Sequence, residues 1–358
     1  MSRSIISGVL LMSSFYVYSQ TYFNTKIGVN DIKQLLGSNA KISTILVDEE
    51  ESFEANYLFH LNNGEDLRIE SQNVYYYDNG TADVASEGYI RFIDDQTRLV
   101  GLYDEKGEVA IPAVYNYLTR VENGLVVGIK GAEKKYLGND KEHFTYDGGD
   151  RLLMNVKGEV LVDDFTASKS LDFFSLSIEE NNLIELPCRT YFKGNDGLYY
   201  SFVILEDFFQ SFIMKDFIPG LRKEGIEQYL QPNEFKLYYQ IGDEDEGVYE
   251  TLIKQGDTYY EVLKNEDTSR VLSIVQKVLS PENKEKGAYF VGNTFLDPSI
   301  VGESVYYDGH GEWLESVFPT FTYVITEDNN RKVKQHLFSF FRDINGNMKL
   351  YQVYIRNE

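Results

Sequence analysis

Short apolar and aromatic runs recur from Tyr57 to the end of the chain, each bounded by Gly, Asn or Asp. This spacing predicts strands joined by tight turns. Tyr57–Leu61 and Leu67–Ile69 flank Asn62-Asn63-Gly64 and read as a hairpin. Val74–Tyr77 runs into a turn at Asp78-Asn79-Gly80. Val100–Tyr103 and Val109–Ile111 flank Asp104–Gly107. There Asp104 is placed to bond its own backbone two residues on, and Gly107 to take the left-handed conformation. Pro112 cannot donate to a ladder, so it belongs at a strand end or an edge. The centre of this stretch returns as Met154-Asn155-Val156-Lys157-Gly158-Glu159-Val160-Leu161-Val162. The offset of about fifty residues is of the size that repeat architectures show. Lys134 to Asp150, polar and Gly-containing, reads as a long loop between the copies.

The pattern changes after Asn181–Pro187, the expected domain boundary. Tyr199–Leu205 is a strand, and Glu206–Phe217 an amphipathic helix ended by Pro219-Gly220. Leu221–Leu230 is a second helix, stopped before Pro232. Val271, Ile274, Val275 and Val278 put one apolar face on a third helix, Thr268–Leu279. Strands are expected at 235–241, 248–253, 258–263, 301–307, 313–318, 321–325, 333–341 and 350–355. The last two join through Asp343-Ile344-Asn345-Gly346, an Asn-Gly hairpin signal. The fold class is therefore mainly β, built of antiparallel hairpin repeats, with an α+β C-terminal domain.

Val100-Gly101-Leu102-Tyr103-Asp104-Glu105-Lys106-Gly107, followed by Ile111-Pro112-Ala113-Val114-Tyr115, resembles the WG-repeat family. Glu87-Gly88-Tyr89-Ile90-Arg91-Phe92 is similar to that repeat's lead-in, and Asn123-Gly124-Leu125-Val126-Val127 to its next strand. The resemblance covers about Ser86 to Asp164 and implies a β-rich repeat module of interaction type, with no catalytic residues to transfer. The signature Trp-Gly is Val100-Gly101 in one copy and Arg151-Leu152 in the other, so no role of that Trp carries over.

Met1 to Ser19 combines Arg3, an apolar run over Ile5–Val17 and a Ser19-Gln20 junction, as a secretory signal does. The run is too short to span a bilayer comfortably, so no transmembrane anchor is expected after cleavage. The junction resembles that of exported Bacteroidetes-type proteins, and the expected location is periplasmic or secreted. The expected domains are a signal at 1–19, a connector at 20–56 with a short helix at Asn30–Leu36, the repeat module at 57–182 and the C-terminal domain at 187–358. A net charge of −23 opposes a nucleic-acid or anionic-membrane partner and suits solubility, divalent cations or neutral partners such as glycans. Cys188 stands alone, which excludes an intrachain disulfide and a zinc-thiolate cluster.

His60, His143, His310 and His336 share no ligand spacing. Asp243–Glu246 and Asp343–Asn347 lack the spacing of an EF-hand and read as turns. No nucleophile elbow, phosphate loop or dinucleotide fingerprint occurs, so no catalytic, cofactor or metal residue is named. Glu312 and Glu315 flank the one tryptophan, Trp313. Aromatic pairs at 76–77, 199–200, 238–239, 259–260 and 306–307 send one ring to each face of a strand. Aligned outer rings would make a platform for sugars or an apolar partner. Tyr306, Tyr307 and Trp313, beside a Gly-rich turn, are the candidate ligand-binding residues. The expected function is an exported, non-enzymatic interaction protein of the cell envelope that binds a protein or a glycan. The alternatives are a saccharide-active enzyme using C-terminal carboxylates and a structural accessory subunit.

Overall fold

A computed structural model describes residues 42–49, 52–61, 63–77, 80–137, 144–180, 187–224, 227–229, 235–240, 248–253, 289–292, 304–308, 311–328 and 333–356. The expected signal at 1–19, the helices at 30–36 and 268–279 and the strand at 258–263 lie outside these residues. So do His143, His310, the boundary residues 181–186 and the acidic loop 242–247. The chain divides into two compact units, residues 1–204 with 308–312, and residues 205–307 with 313–358.

The N-terminal unit contains four narrow antiparallel sheets. The first is β1 (Ile42–Glu49), β2 (Ser52–His60) and β3 (Asp66–Ile69). The second is β4 (Ile90–Ile93), β5 (Val100–Tyr103) and β6 (Val109–Tyr115). β7 (Tyr117–Leu118), β8 (Leu125–Lys130), β11 (Asp150–Asn155) and β12 (Val160–Val162) form the third, in the order β12-β11-β8-β7. β9 (Glu133–Tyr136) and β10 (Phe144–Asp147) are a separate hairpin between β8 and β11. β13 (Leu171–Glu179), β14 (Arg189–Lys193) and β15 (Tyr199–Ile204) form the fourth, in the order β13-β15-β14.

Three-stranded sheets of this width bury little by themselves, so each is stabilised by packing on the next. Tyr57 and Phe59 of β2 meet Ile90 of β4 in one apolar cluster. Leu102 and Ile111 of the second sheet meet Leu118, Val126, Leu152 and Met154 of the third. Leu125, Leu153 and Val162 of the third sheet meet Phe202 of the fourth. Leu152 and Met154 face one neighbour and Leu153 the other, so the apolar run Leu152–Met154 of β11 is buried on both faces. Stability in such a stack is a sum over neighbouring layers.

Both copies of the repeated stretch adopt one register. Tyr103 pairs with Val109 and Leu102 with Ile111, skipping Ala110. Met154 pairs with Val160 and Leu153 with Val162, skipping Leu161. Asp104 Oδ1 accepts the N–H groups of Lys106 and Glu108 at 2.8 and 3.0 Å. Asn155 Oδ1 does the same for Lys157 and Glu159 at 3.0 and 3.1 Å. The following Gly107 and Gly158 have φ of 75° and 77°. The same closure, with a Gly N–H donating back three residues, recurs at Gly64, Gly80, Gly197, Gly311 and Gly346. The turn is therefore the general hairpin device of this chain, in both units. At Asp343–Gly346 it closes the expected hairpin, with Asp343 Oδ1 capping the N–H groups of Asn345 and Asn347. Each loop of the stack also meets the last strand of the preceding sheet. Gly107 lies against Leu67 of β3 and Gly158 against Ile111 of β6. Asn195 donates its N–H to Leu161 O of β12 at 2.9 Å.

Three expectations for this half are corrected. Residues 42–49 and 52–56 are strand, not connector, because β1 pairs along its length with β2. Lys134–Asp150 contains the β9–β10 hairpin. The boundary expected at 182–187 falls inside the fourth sheet, since β15 bonds β13 on one side and β14 on the other, and the division comes after Ile204.

The C-terminal unit opens with α1 (Leu205–Phe212). Leu205, Phe208, Phe209 and Phe212 make its buried face, and Glu206 and Asp207 favour its N-terminal dipole. A π-helical turn at Ile213–Phe217 follows, then α2 (Ile218–Glu224). Pro219 therefore does not end the helix. The helical backbone runs on through the π-helical turn into α2, with the Ile218 N–H bonded to Ile213 O. β16 (Phe235–Gln240), β17 (Val248–Ile253), β18 (Tyr289–Gly292), β19 (Thr320–Asp328), β20 (Val333–Arg342) and β21 (Met348–Arg356) form one sheet in the order β17-β16-β21-β20-β19-β18. It is antiparallel except for the parallel pair β16–β21, a departure from the expected all-antiparallel sheet. Phe340 meets Phe209, Phe212 and Phe217 of the helical segment, while the adjacent Phe341 meets Tyr306 and Trp313 on the opposite face. The strands expected at 301–307 and 313–318 are a short 3₁₀ turn at Ser304–Tyr306 and a turn closed on Leu314 O.

Two glycine substitutions test the stacking. A Cβ at Gly107 runs into Leu67, whereas at Gly158 it meets Ile111 at an ordinary 3.6 Å. Gly158→Ala should cost about 1–2 kcal/mol from its left-handed φ alone. Gly107→Ala should cost a further ~1–3 kcal/mol from overpacking. Amide hydrogen exchange in β5 and β11 reads both, and equal costs would exclude the interlayer contact.

Candidate functional site

The site is built on the β9–β10 hairpin. Its base is held where Asn116 Oδ1 accepts the Ala132 N–H at 2.8 Å. Gly149, at φ 75°, passes so close to Lys130 O and Ala132 N that a Cβ there would stand 2.7 Å from each. Phe144 pairs with Tyr136 and Tyr146 with Lys134, while Thr145 pairs with Lys135 and Asp147 with Glu133. Side chains alternate across a strand, so Tyr136, Phe144, Tyr146 and Lys134 share one face. The other face carries Glu133, Lys135, Thr145 and Asp147, with Lys135 Nζ 3.6 Å from Asp147.

On the aromatic face the rings form a row. Tyr136 and Phe144 centroids are 6.3 Å apart, Phe144 and Tyr146 5.4 Å, and Tyr146 and Tyr117 of β7 6.5 Å. Lys134 Nζ lies 4.1 Å from the Phe144 ring centre, a cation–π contact. Tyr136 is 47% exposed and the next residue, Leu137, 56%, which makes the outer end of the row open to solvent. Burial pushes the Tyr75 hydroxyl up to about 12, although the Arg91 charge acts against it.

Beneath the row lies a buried ion pair. Arg91 of β4 gives Asp83 a two-pronged contact, Nε to Oδ2 at 2.9 Å and Nη2 to Oδ1 at 2.6 Å. Its Nη1 donates to Leu118 O of β7 at 3.0 Å, tying the second sheet to the third. Its guanidinium lies over Tyr75 at 4.2 Å and near Tyr77 at 5.0 Å. Tyr77 Oη accepts from Arg91 Nη2 at 2.7 Å and donates to Asp83 Oδ1 at 2.8 Å. Burial alone would raise the Asp83 carboxyl, but the charge and hydrogen bonds of Arg91 outweigh it and hold the group below its ordinary value. Glu87 makes a second tie. Both its oxygens accept N–H groups of the Asn123-Gly124 turn, at 2.6 and 2.7 Å, and its burial raises the carboxyl.

Tyr306, Tyr307 and Trp313 are brought together, but in packing contacts of the C-terminal unit. Tyr306 is 5% exposed and stacks on Trp313 at 5.2 Å and 4°. Trp313 Nε1 donates to Phe318 O at 2.7 Å, and Tyr306 Oη accepts the Ile344 N–H at 3.1 Å. Tyr307 meets the Trp313 ring edge-on at 5.7 Å. Glu315 accepts the N–H and hydroxyl of Thr320 at 2.9 and 3.0 Å, while Glu312 is exposed. Tyr199 and Tyr200 alternate as expected, with Tyr200 buried. His60 is the cross-strand partner of Asp66, 2.8 Å away. Reading 134–150 as loop hid Tyr136, Phe144 and Tyr146. Their signal is the alternation Phe144-Thr145-Tyr146-Asp147 before Gly148-Gly149.

Among the described residues no group of three or more His, Cys, Asp and Glu could hold a metal ion, and no helix is long and apolar enough to cross a membrane. No family model, curated protein or solved structure matches the chain.

Asp83→Asn leaves the Arg91 guanidinium buried without its anion and should cost roughly 3–5 kcal/mol at neutral pH. Because the folded carboxyl lies below its unfolded value, that stability is present above about pH 4 and is lost as the pH falls through the folded value. Hydrogen exchange in β4 across pH should show the variant and the parent converging in acid. Trp313→Ala should weaken exchange protection in β19 and β20 by about 3 kcal/mol, as loss of a packed ring does. Unchanged protection would mean that the ring is not part of the core.

Proposed function

We propose that this chain is an exported, non-enzymatic interaction protein of the cell envelope, which binds a protein or a glycan through its repeat module. The observation that carries this reading is the aromatic face of β9–β10, on which Tyr136 and its neighbours are set out from a rigid stack. Exposed aromatic clusters on a soluble framework mark contact surfaces. Placing them on a hairpin inserted between layers gives reach without disturbing the core. The identical register of the two repeat copies supports a WG-repeat-like module as that framework. A strongly acidic chain keeps polyanions away and leaves neutral partners admissible.

The full chain, expressed in a Gram-negative host, should be recovered outside the cytoplasm with its N-terminus at Gln20, as read by intact mass. The mature chain should co-sediment with an isolated cell-envelope fraction. A Tyr136→Ala/Phe144→Ala double variant should lose at least tenfold in bound fraction, with a melting temperature within a few degrees of the parent. Cytoplasmic retention would overturn the export part. Co-sedimentation unaffected by the double variant would remove the hairpin from the interaction.

A further inference from the structure

We infer that the aromatic face of β9–β10 is a binding site for a neutral polysaccharide, with Tyr136, Phe144, Tyr146 and Tyr117, packed edge-on or tilted against one another, as the contact surface. This rests on the interaction reading above and narrows it to one ligand class.

Charge comes first. The sequence segment 130–151 carries five cationic and five anionic side chains, within a chain of −23. A polyanion such as a nucleic acid or an acidic lipid surface needs net positive charge at its contact, and a basic peptide needs net negative charge. Neither is present on this segment, and a neutral ligand matches it.

Surface chemistry comes second. A sugar ring offers apolar C–H faces rimmed by hydroxyls, so its site must present aromatic faces and hydrogen-bonding groups together. Tyrosine supplies both in one side chain. Tyr136, Tyr146 and Tyr117 each bring a hydroxyl, and Lys134 adds a donor beside Phe144. An apolar peptide face would be penalised by desolvating these groups.

Extent comes third. Successive ring separations of 6.3, 5.4 and 6.5 Å make the row longer than a single sugar ring. The ligand is therefore chain-like, several sugars long, with modest affinity per ring summed along the row.

The test is native gel electrophoresis of the mature chain through gels containing dextran, yeast mannan, soluble starch or mixed-linkage β-glucan, with polygalacturonate as the charged control. At least one neutral polysaccharide should retard the protein. Tyr136→Ala and Phe144→Ala should each raise the dissociation constant tenfold or more, while Lys135→Ala and Thr145→Ala, on the opposite face, should stay within twofold. Melting curves confirm that all four variants are folded, and Tyr136→Phe, which keeps the ring, should retain most of the binding. Three outcomes overturn the inference: no retardation by any neutral polysaccharide, retardation indifferent to the aromatic variants, or equal, salt-sensitive retardation by polygalacturonate. If polysaccharides fail while envelope binding still depends on Tyr136 and Phe144, the partner is a protein and only this inference falls. If envelope binding fails as well, the interaction reading falls with it.

Discussion

Narrowness is the constraint from which the N-terminal unit follows. A sheet of three short strands has two faces and too little of either to fold alone, so each sheet needs a neighbour. The third sheet shows the consequence in its residues. Leu152 and Met154 serve one interface and Leu153 the other, so three successive residues of one strand are apolar and buried. The hairpin loops carry the same logic. Gly107 and Gly158 let the chain reverse in three residues, and each sets its loop against the final strand of the preceding layer.

Apolar contact is not directional, and layers of leucine and valine could slide. Two buried polar ties supply direction. The Arg91 side chain donates four hydrogen bonds, to Asp83, Tyr77 and Leu118 O, and so links the second layer to the third in a fixed direction. Glu87 caps both N–H groups of the Asn123-Gly124 turn and links the two β-turns that begin corresponding strands. Each buried charge is costly without its partner, so slippage at either tie carries a large penalty. Tyr75 and Tyr77 line the Arg91 guanidinium.

The hairpin also shows why local pattern reading stops where it does. Turn chemistry is carried by one or two residues, so Asp104–Gly107, Asn155–Gly158 and Asp343–Gly346 are plain in the linear chain. Their repetition predicted the mainly β class and the repeat. The same locality limits what the turn can identify, since the device also closes hairpins at Gly64, Gly197 and Gly346, outside the repeated stretch. β9 and β10 are four residues each, rich in lysine and acid, and lack the apolar run that announces a strand. Pairing with each other, not burial, makes them strands.

Strand positions, loop positions, acidic character and the amphipathic stripe of α1 all depend on a residue and its near neighbours, and all are legible in the linear chain. What each aromatic ring faces depends on residues tens of positions away. Tyr306 and Trp313 carry every mark of a surface platform in one dimension, yet Phe318 and Phe341 close around them. Tyr117 and Tyr146, unremarkable in sequence, come together because Asn116 and Gly149 fix the base of the hairpin between them. The domain division moved for the same reason, since β15 pairs with β13 on one side and β14 on the other, across the proline that had looked like a boundary. Local chemistry chose the turns and strands, and long-range pairing chose which faces were covered.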